Sequence, residues 1–556
     1  FDVVVVGGGI YGACVAWEAV LRGLSVALVE QCDFGWGTSS NMHRIAHGGF
    51  RYLQNADIKR MRESIRERKN LIRIAPHLVH PLPFLVPTYR RGLQQRRIMR
   101  VALKLYDLVA FDRNKGILDP QKRIPAGRLV SRAECLRLVP SIAEEEVTGG
   151  AVWYDGKIDS PDRLTLEFVR SAVEEGACVA NYVRVTGVLE KRSQIRGVRA
   201  TDLLTGRELD LQARLIINAT GPWMNSVLDL IRGGRRGRRL RFIRSINVVT
   251  RPLTNDNHGV AVKVPHRGVR NGVHDGCCLR YFIVPWRGRA IAGSLDVLEH
   301  TDPDTCEVRA DELEGVVERI NAACPRAALT PDEVSRVHVG LLPLAEKGPQ
   351  QDPYNAAQHY QITDHKQQEG IEGFISVVGV KYTTARDVAQ KAVDLALTQL
   401  ALRNRPSRSA ETPLFGGHIE ELETFVRAGL NERPHGLDED VIQQLIRNHG
   451  SDYHNVLRPV SGAPHWGQRL SPTTTVLQAQ VVYAVREEMA QKLADVVLRR
   501  TELGVLGHPG SHTLRVCAKI MAQELGWSSS RAEQELDETE ALFVRAWARP
   551  PREEAE

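Results

Sequence analysis

The segment Gly7-Gly8-Gly9-Ile10-Tyr11-Gly12 constrains this chain more than any other. Before it, Phe1 to Val6 is short, β-branched and ended by glycine, the pattern of a buried strand. After it, Ala13 to Arg22 has helical composition and stops at Gly23, and Leu24 to Glu30 forms a second strand. Gly7, Gly9 and Gly12 therefore supply G-x-G-x-x-G between a strand and a helix. Gly7 permits the tight turn, Gly9 lets backbone approach a pyrophosphate, and Gly12 lets helix and strand pack closely. The helix N-terminus turns unpaired N–H groups toward the diphosphate, with Ile10 and Tyr11 in its first turn. Glu30, which ends the second strand 18 residues after Gly12, is placed with Gln31 to accept from ribose hydroxyls. The chain is thus expected to be an α/β protein with a Rossmann-like dinucleotide-binding domain. The motif alone does not separate NAD from FAD.

Length and composition bound the rest. At 556 residues the chain has room for roughly two to four domains of about 150 residues each. Its 42% apolar and 25% charged residues exclude a disordered or fibrous chain. No window approaches the roughly 18 uninterrupted apolar residues of a spanning helix, and Val3 to Val6 is too short for a signal peptide. The expectation is a cytoplasmic protein. The charge excess, 74 basic against 67 acidic residues, is +7 and suits an acidic substrate or an anionic surface. The nine Cys include only one adjacent pair, Cys277 and Cys278, and no C-x-x-C pair to hold zinc or an iron–sulfur cluster. Free thiols and no metal are expected.

Downstream motifs point to one family. Gly37-Thr38-Ser39-Ser40 and His47-Gly48-Gly49-Phe50-Arg51-Tyr52-Leu53 resemble the FAD-dependent glycerol-3-phosphate dehydrogenases, flavoproteins with a fold like that of D-amino-acid oxidase. Asn218-Ala219-Thr220-Gly221-Pro222-Trp223 is similar to the family's nucleotide-contacting turn. Phe282 to Trp286 with Ile291 to Asp296 resembles its substrate-domain sheet. Gly379-Val380-Lys381-Tyr382-Thr383-Thr384 resembles the loop that reaches the flavin, and Glu488 to Thr501 resembles part of the C-terminal helical domain. The resemblance runs to about residue 545. It implies FAD as cofactor, with Thr38, Ser39, Ser40, His47, Gly48, Gly49, Val183, Ala219, Thr220, Gly221, Trp223, Gly379, Lys381, Tyr382 and Thr383 joining the first glycines and Glu30 around it. The backbone of Val183, in the strand Asn181 to Val185, is expected against the adenine.

The expected layout is a discontinuous FAD-binding domain (1–75, 150–224 and 345–402), with strands near 1–6, 24–30, 178–189 and 213–219. A cap (76–149 and 225–344) carries an antiparallel sheet, and a C-terminal helical domain covers 411–556. Pro76, Pro81, Pro83 and Pro87 are helix breakers, and 403–413 reads as a linker. Val485, Met489, Leu493 and Val497 recur every fourth residue as one apolar helical stripe, stopped at Gly504. In Arg90 to Leu108, basic residues alternate with apolar ones, a pattern that suits either an anionic membrane or a solvated helix over the core. The seven Arg of Arg232 to Arg244 suit a solvated loop, or lipid or nucleic-acid contact. No nucleic-acid partner is expected.

Oxidising an alcohol with a flavin needs a hydride acceptor, a group to take the hydroxyl proton, and a cation where negative charge accumulates. By resemblance, Arg51 and Lys381 fill positioning and electrostatic roles beside substrate and flavin. His47 either takes the proton or orients the Gly48-Gly49 turn. Tyr52 either bonds the substrate or packs in the core. Three places depart from the family pattern. Leu342 stands in Gly340-Leu341-Leu342-Pro343-Leu344 where the family has the Arg that grips the substrate phosphate, and Leu cannot donate or carry charge. Asn247 stands where the family has a His, and Asn41-Met42-His43-Arg44-Ile45 replaces small and basic residues. The expected reaction is oxidation of the secondary alcohol of glycerol 3-phosphate or a related hydroxy compound, with electrons passed to quinone or another acceptor. The alternative is an amine, amino-acid or hydroxy-acid oxidase of the same superfamily. Attachment to the inner face of the cell membrane and a homodimer complete the expectations.

Overall fold

In a computed structural model, described for residues 1–191, 194–234, 237, 239–263, 280–297, 303–344 and 359–543, three sheets and a helical C-terminal region account for the chain. Cys277, Cys278, the start of the 345–402 segment, the end of the C-terminal domain and part of the Arg232–Arg244 run lie outside the described residues. No described helix is long and apolar enough to cross a membrane.

The six-stranded sheet carries the nucleotide motif. Val3–Val6 sits between Leu215–Asn218 and Val26–Val29 in parallel, with Val3 opposite both Leu215 and Val26. Phe374–Val378 and Cys178–Ala180 extend it outward in parallel, and Gln361–Asp364 closes one edge antiparallel. These strands are apolar on nearly every residue because helices Ile10–Leu21 and Ala385–Gln399 cover one face and the small sheet lies toward the other. The expected strand at 178–189 is two. Asn181 and Tyr182 break it, Tyr182 having φ 57°, and Val183–Lys191 then leaves the parallel sheet. It joins Gln194–Asp202 and Glu208–Gln212 in a three-stranded antiparallel meander.

The third sheet is the cap, in the order Arg336–Leu344, Arg241–Thr250, Arg289–Val297, Arg280–Trp286, Gly259–Lys263, Val79–Tyr89, Val147–Ile158. Helix Ala310–Ala323 packs on one face, against Ile246, Leu295 and Ala292. The other face turns toward the nucleotide domain. The segment 150–224 divides here: its residues through Ile158 complete a cap strand paired along its length with Val79–Tyr89. Pro81, Pro83 and Pro87 stop helix formation yet sit inside that strand. All three occupy odd positions, so their missing N–H groups fall on one edge.

Beyond Ala401, residues 402–421 hold no helix or strand, and helices follow from Leu422–Glu432 to Ser529–Ala541. The stripe Val485, Met489, Leu493, Val497 is not one helix. Gln478–Glu488 ends at Met489, with φ 56°, and Val496–Arg500 winds as a π-helix. The break serves a buried ion cluster. Arg500 Nη1 and Nη2 donate to Asp33 at 2.6 and 2.7 Å, and Arg499 Nε donates to Asp33 Oδ2 at 2.5 Å. This cluster ties the C-terminal helices to the nucleotide domain.

Helix Arg96–Val109 carries two apolar faces. Met99, Leu103 and Tyr106 pack inward, while Ile98, Val101, Leu105 and Leu108 form a second, exposed stripe on the opposite side. Leu108 and Phe111 are 71% and 78% exposed, with Arg97, Arg100 and Lys104 beside them.

Candidate functional site

A cavity of about 350 Å³ opens at the carboxyl ends of the parallel strands and runs to the face of the cap. Gly7, with φ 103°, makes the turn out of the first strand, and a Cβ there would lie 2.9 Å from the Ala219 carbonyl oxygen. A Cβ on Gly12 would collide with the Gly7 carbonyl oxygen, so Gly12 does not line the cavity but fixes how closely helix and turn pack. Gly9 caps helix Ile10–Leu21 without any side-chain hydrogen bond. The helix N-terminus therefore faces the cavity.

Glu30 reaches the same wall, where its carboxylate accepts the Gly8 N–H at 2.6 Å and the Cys32 N–H at 2.9 Å. Burial nevertheless raises its pKa. Gln31, Thr38, Ser39, Val183, Ala219, Thr220, Gly221, Trp223, Gly379, Lys381 and Tyr382 line the cavity as well. Ser39 Oγ accepts from the Ile10 N–H at 3.0 Å, and Thr38 Oγ1 exchanges hydrogen bonds with the Leu341 backbone, joining the nucleotide turn to the cap. Tyr11 donates to the Lys381 carbonyl at 2.7 Å, and a Cβ on Gly379 would strike the Tyr11 ring. A long, bent channel of glycines and backbone N–H groups, ended by a carboxylate, fits an FAD molecule.

Several expected cofactor residues support the cavity without lining it. Ser40 Oγ donates to the Gly35 carbonyl at 2.9 Å. Thr383 is buried and accepts the His47 N–H at 2.9 Å. The Gly48 N–H donates to Asp155 Oδ1 at 2.6 Å, while Tyr106 donates to the Gly48 carbonyl at 3.0 Å. Gly49, with φ 77°, starts the 3₁₀ turn Phe50–Asn55 that carries Arg51 and Tyr52.

At the cap end, Lys381 Nζ lies 4.1 Å from the Tyr52 ring centroid. Burial, then Arg60 and Arg51, push its pKa down to about 8. Arg60 approaches the same ring at 4.9 Å, while Arg51 is exposed beside it. Leu342 lines the cavity with Leu341 and Pro343. Asn247 is buried in the neighbouring strand, opposite His338 on one side and Gly293 on the other.

Asp155 and His43 also stand at this end of the site. Asp155 holds the His47–Gly48 turn, with His47 Nδ1 3.4 Å from its Oδ2. No local motif announces it, because its partners are about a hundred residues away. His43 flanks Phe282 from one side and His47 from the other, at ring distances of 6.3 and 6.1 Å. Burial, aided by His47, pushes the His43 pKa down to about 4.

Comparison with known proteins agrees with this geometry. Residues 2–380 match the FAD dependent oxidoreductase family, and residues 407–532 match the C-terminal domain of alpha-glycerophosphate oxidase. A glycerol-3-phosphate dehydrogenase of Synechocystis is 30% identical over 550 residues, covering 96% of this chain and 95% of that protein. The mitochondrial glycerol-3-phosphate dehydrogenase of Mus musculus is 30% identical over 98% of this chain and 73% of its own length. Among solved structures, the glycerol-3-phosphate dehydrogenase from Bacillus halodurans complexed with FAD superposes with TM-score 0.75 at 23% identity, covering 100% of this chain and 96% of that one. The L-proline dehydrogenase from P. horikoshii shares the fold over only 73% of this chain, with TM-score 0.52 and 18% identity. The matched C-terminal domain and the full-length relatives favour the glycerophosphate reading over the amine or amino-acid oxidase alternative. The chain belongs to the family of FAD-dependent glycerol-3-phosphate dehydrogenases.

Proposed function

We propose that this chain oxidises the secondary hydroxyl of glycerol 3-phosphate or a closely related hydroxy compound. The observation that carries the reading is Lys381, on the loop at the cavity wall, partly desolvated against Tyr52 with Arg51 and Arg60 nearby. Bound FAD supplies the two-electron acceptor that takes the carbinol hydride. The chain's own part is positional and electrostatic. Lys381 is mostly protonated at pH 7 and offers a fixed cation where negative charge gathers. Arg51 offers an anionic substrate a guanidinium at the mouth, and Asp155 holds the His47–Gly48 turn under it. Gly7, Gly9, Glu30, Thr38, Ser39, Ala219 and Tyr382 are the proposed FAD contacts.

Leu342 and Asn247 bear on the substrate. An apolar side chain at 342 removes a charged donor, so phosphate is held by Arg51 and Lys381 without that partner, and glycerol 3-phosphate binds weakly.

The exposed stripe Ile98, Val101, Leu105 and Leu108, with Phe111 and the adjacent Arg97, Arg100 and Lys104, supports attachment to an anionic membrane surface. A membrane-borne quinone is then the natural electron acceptor. The function is tested by incubating the enzyme with glycerol 3-phosphate and a short-chain ubiquinone analogue. One quinol per dihydroxyacetone phosphate is expected. Ammonia from an amino acid, with no keto phosphate, would overturn the reading.

A further inference from the structure

Arg44, in the loop that leads to the His47 turn, is a buried cation without a counter-charge. It is 3% exposed and forms no ion pair among the described residues. Its guanidinium lies 4.0 Å from the centroid of the Trp286 ring, and Nη1 donates to the Asp159 carbonyl at 3.4 Å. Nε is buried and has no hydrogen-bond partner among the described residues. An aromatic face and one long hydrogen bond do not replace the water that a full charge has lost. Burial accordingly pulls the Arg44 pKa down to about 10.

Arg44 lines a cavity of about 10 Å³ where three parts of the chain meet. Arg163 comes from helix Pro161–Glu174 of the nucleotide domain, Trp286 and Arg287 from the cap, and Asn448, Arg499 and Arg500 from the C-terminal helices. Every other arginine of the wall has a carboxylate. Arg163 holds Glu488, Arg287 holds Glu502, and Arg499 and Arg500 hold Asp33. The acids of the wall are taken as well, Glu502 by Arg287 and Asp159 by His80 and Lys157. Near the cavity, Arg336 is a second cation without an ion pair among the described residues, and it donates to the Gly504 carbonyl at 2.6 Å. Asp162 faces Arg44, Arg336 and Arg499 but pairs with none of them. Two cations that share one distant carboxylate leave an excess of positive charge. The same excess acts on the buried ring of His338, whose pKa burial, Arg44 and Arg336 hold well below its ordinary value.

We propose that this cavity is a binding site for one monatomic anion, a halide such as chloride, with Arg44 as its counter-charge. The space suits a single water-sized particle, which excludes phosphate, sulfate and carboxylate metabolites, and chloride is little larger than water. The ion accepts from the Arg44 guanidinium and from the Asn448 amide, both in the wall, and cancels the excess charge. A water in the same place accepts hydrogen bonds but leaves that charge uncancelled. Because its ligands come from separate parts of the chain, the site exists only in the folded protein, and occupancy stabilises the junction of nucleotide domain, cap and C-terminal helices. It shares no lining residue with the nucleotide cavity and stands apart from the proposed reaction.

The test follows urea unfolding of the FAD-loaded protein at fixed ionic strength, with chloride exchanged stepwise for gluconate, an anion too large for the cavity. A folded form that binds one anion gains about tenfold over the unfolded form for each tenfold rise in chloride above the dissociation constant, read as a rising urea midpoint. Arg44→Met should lose that dependence. A wild-type midpoint indifferent to the exchange, or a chloride dependence that Arg44→Met retains, would overturn the proposal. A second measurement needs no variant. Wild-type crystals soaked in bromide should show an anomalous scatterer in the cavity, within hydrogen-bond distance of the Arg44 guanidinium. An ordered water there without bromide signal would overturn the proposal, even if chloride stabilises the protein through other sites.

Discussion

Lys381 Nζ sits 4.1 Å above the ring of Tyr52, joining the loop after strand Phe374–Val378 to the 3₁₀ turn after His47. A cation on an aromatic face is attracted by the ring, and here the cation is also desolvated. Lys381→Met should therefore slow flavin reduction by about a hundredfold or more while leaving FAD content unchanged. Stopped-flow absorbance and cofactor release by heat measure the two effects. Equal loss of both would show that Lys381 serves only to build the loop.

The same lysine sets a pH limb. Burial favours its neutral form and brings the pKa down to about 8, so the proton is lost as pH rises through that value. Flavin reduction should fall above about pH 8, and Lys381→Arg should move that fall to higher pH because arginine stays charged. A wild-type profile flat to pH 10 would contradict the assignment.

Leu342→Arg should lower the KM for glycerol 3-phosphate by roughly 10- to 150-fold, the worth of one charged hydrogen bond of about 1.5–3 kcal/mol. Steady-state kinetics decide the point. Wild type that already works at micromolar KM, with no gain from the arginine, would remove Leu342 from the substrate site.

Leu108→Glu with Phe111→Glu should abolish flotation with vesicles of anionic lipid, since Leu108, on the outer stripe of its helix, and Phe111, in the turn just beyond that helix, are both more than two-thirds exposed. Wild-type flotation should weaken at high salt, as Arg97, Arg100 and Lys104 are screened. Equal indifference of wild type to anionic and neutral vesicles would leave the stripe without this role.

Asp33→Asn should destabilise the protein by about 3–5 kcal/mol, because it leaves Arg500 buried with no paired carboxylate and Arg499 with Asp495 alone. The two arginines hold the Asp33 carboxyl well below its ordinary value. That contribution is present above the unfolded pKa of about 3.9 and is lost as pH falls below it. Denaturant melts at pH 7 and pH 3 check both the size and the sign.

The glycine turn was legible because its residues act on neighbours: Gly7, Gly9 and Gly12 answer to a strand, a helix and a turn within a dozen positions. The flavin-loop segment at Gly379 was legible for a similar reason, with Tyr382 and Thr383 close beside Lys381. Asp155 was not, since its hydrogen bonds reach from a cap strand back to Gly48 and His47. The fourfold spacing of Val485 to Val497 misled, because an αL residue at Met489 and a π-turn at Val496–Arg500 preserve the apolar spacing while breaking the helix. Buried arginines that must meet Asp33 determine that break, and sequence spacing carries no trace of them. The prolines of Val79–Tyr89 ruled out a helix correctly but concealed a strand, whose tolerance for them depends on which edge lacks N–H groups.

On the proposed function, this FAD-binding chain takes hydride from a secondary alcohol. Anaerobic mixing of the purified enzyme with separate panels of hydroxy compounds and amino acids, followed at the flavin absorbance band, tests it most directly. We predict that glycerol 3-phosphate or a less charged polyol relative bleaches the flavin and that no amino acid does. Bleaching by an amino acid alone, with every alcohol inert, would contradict the account.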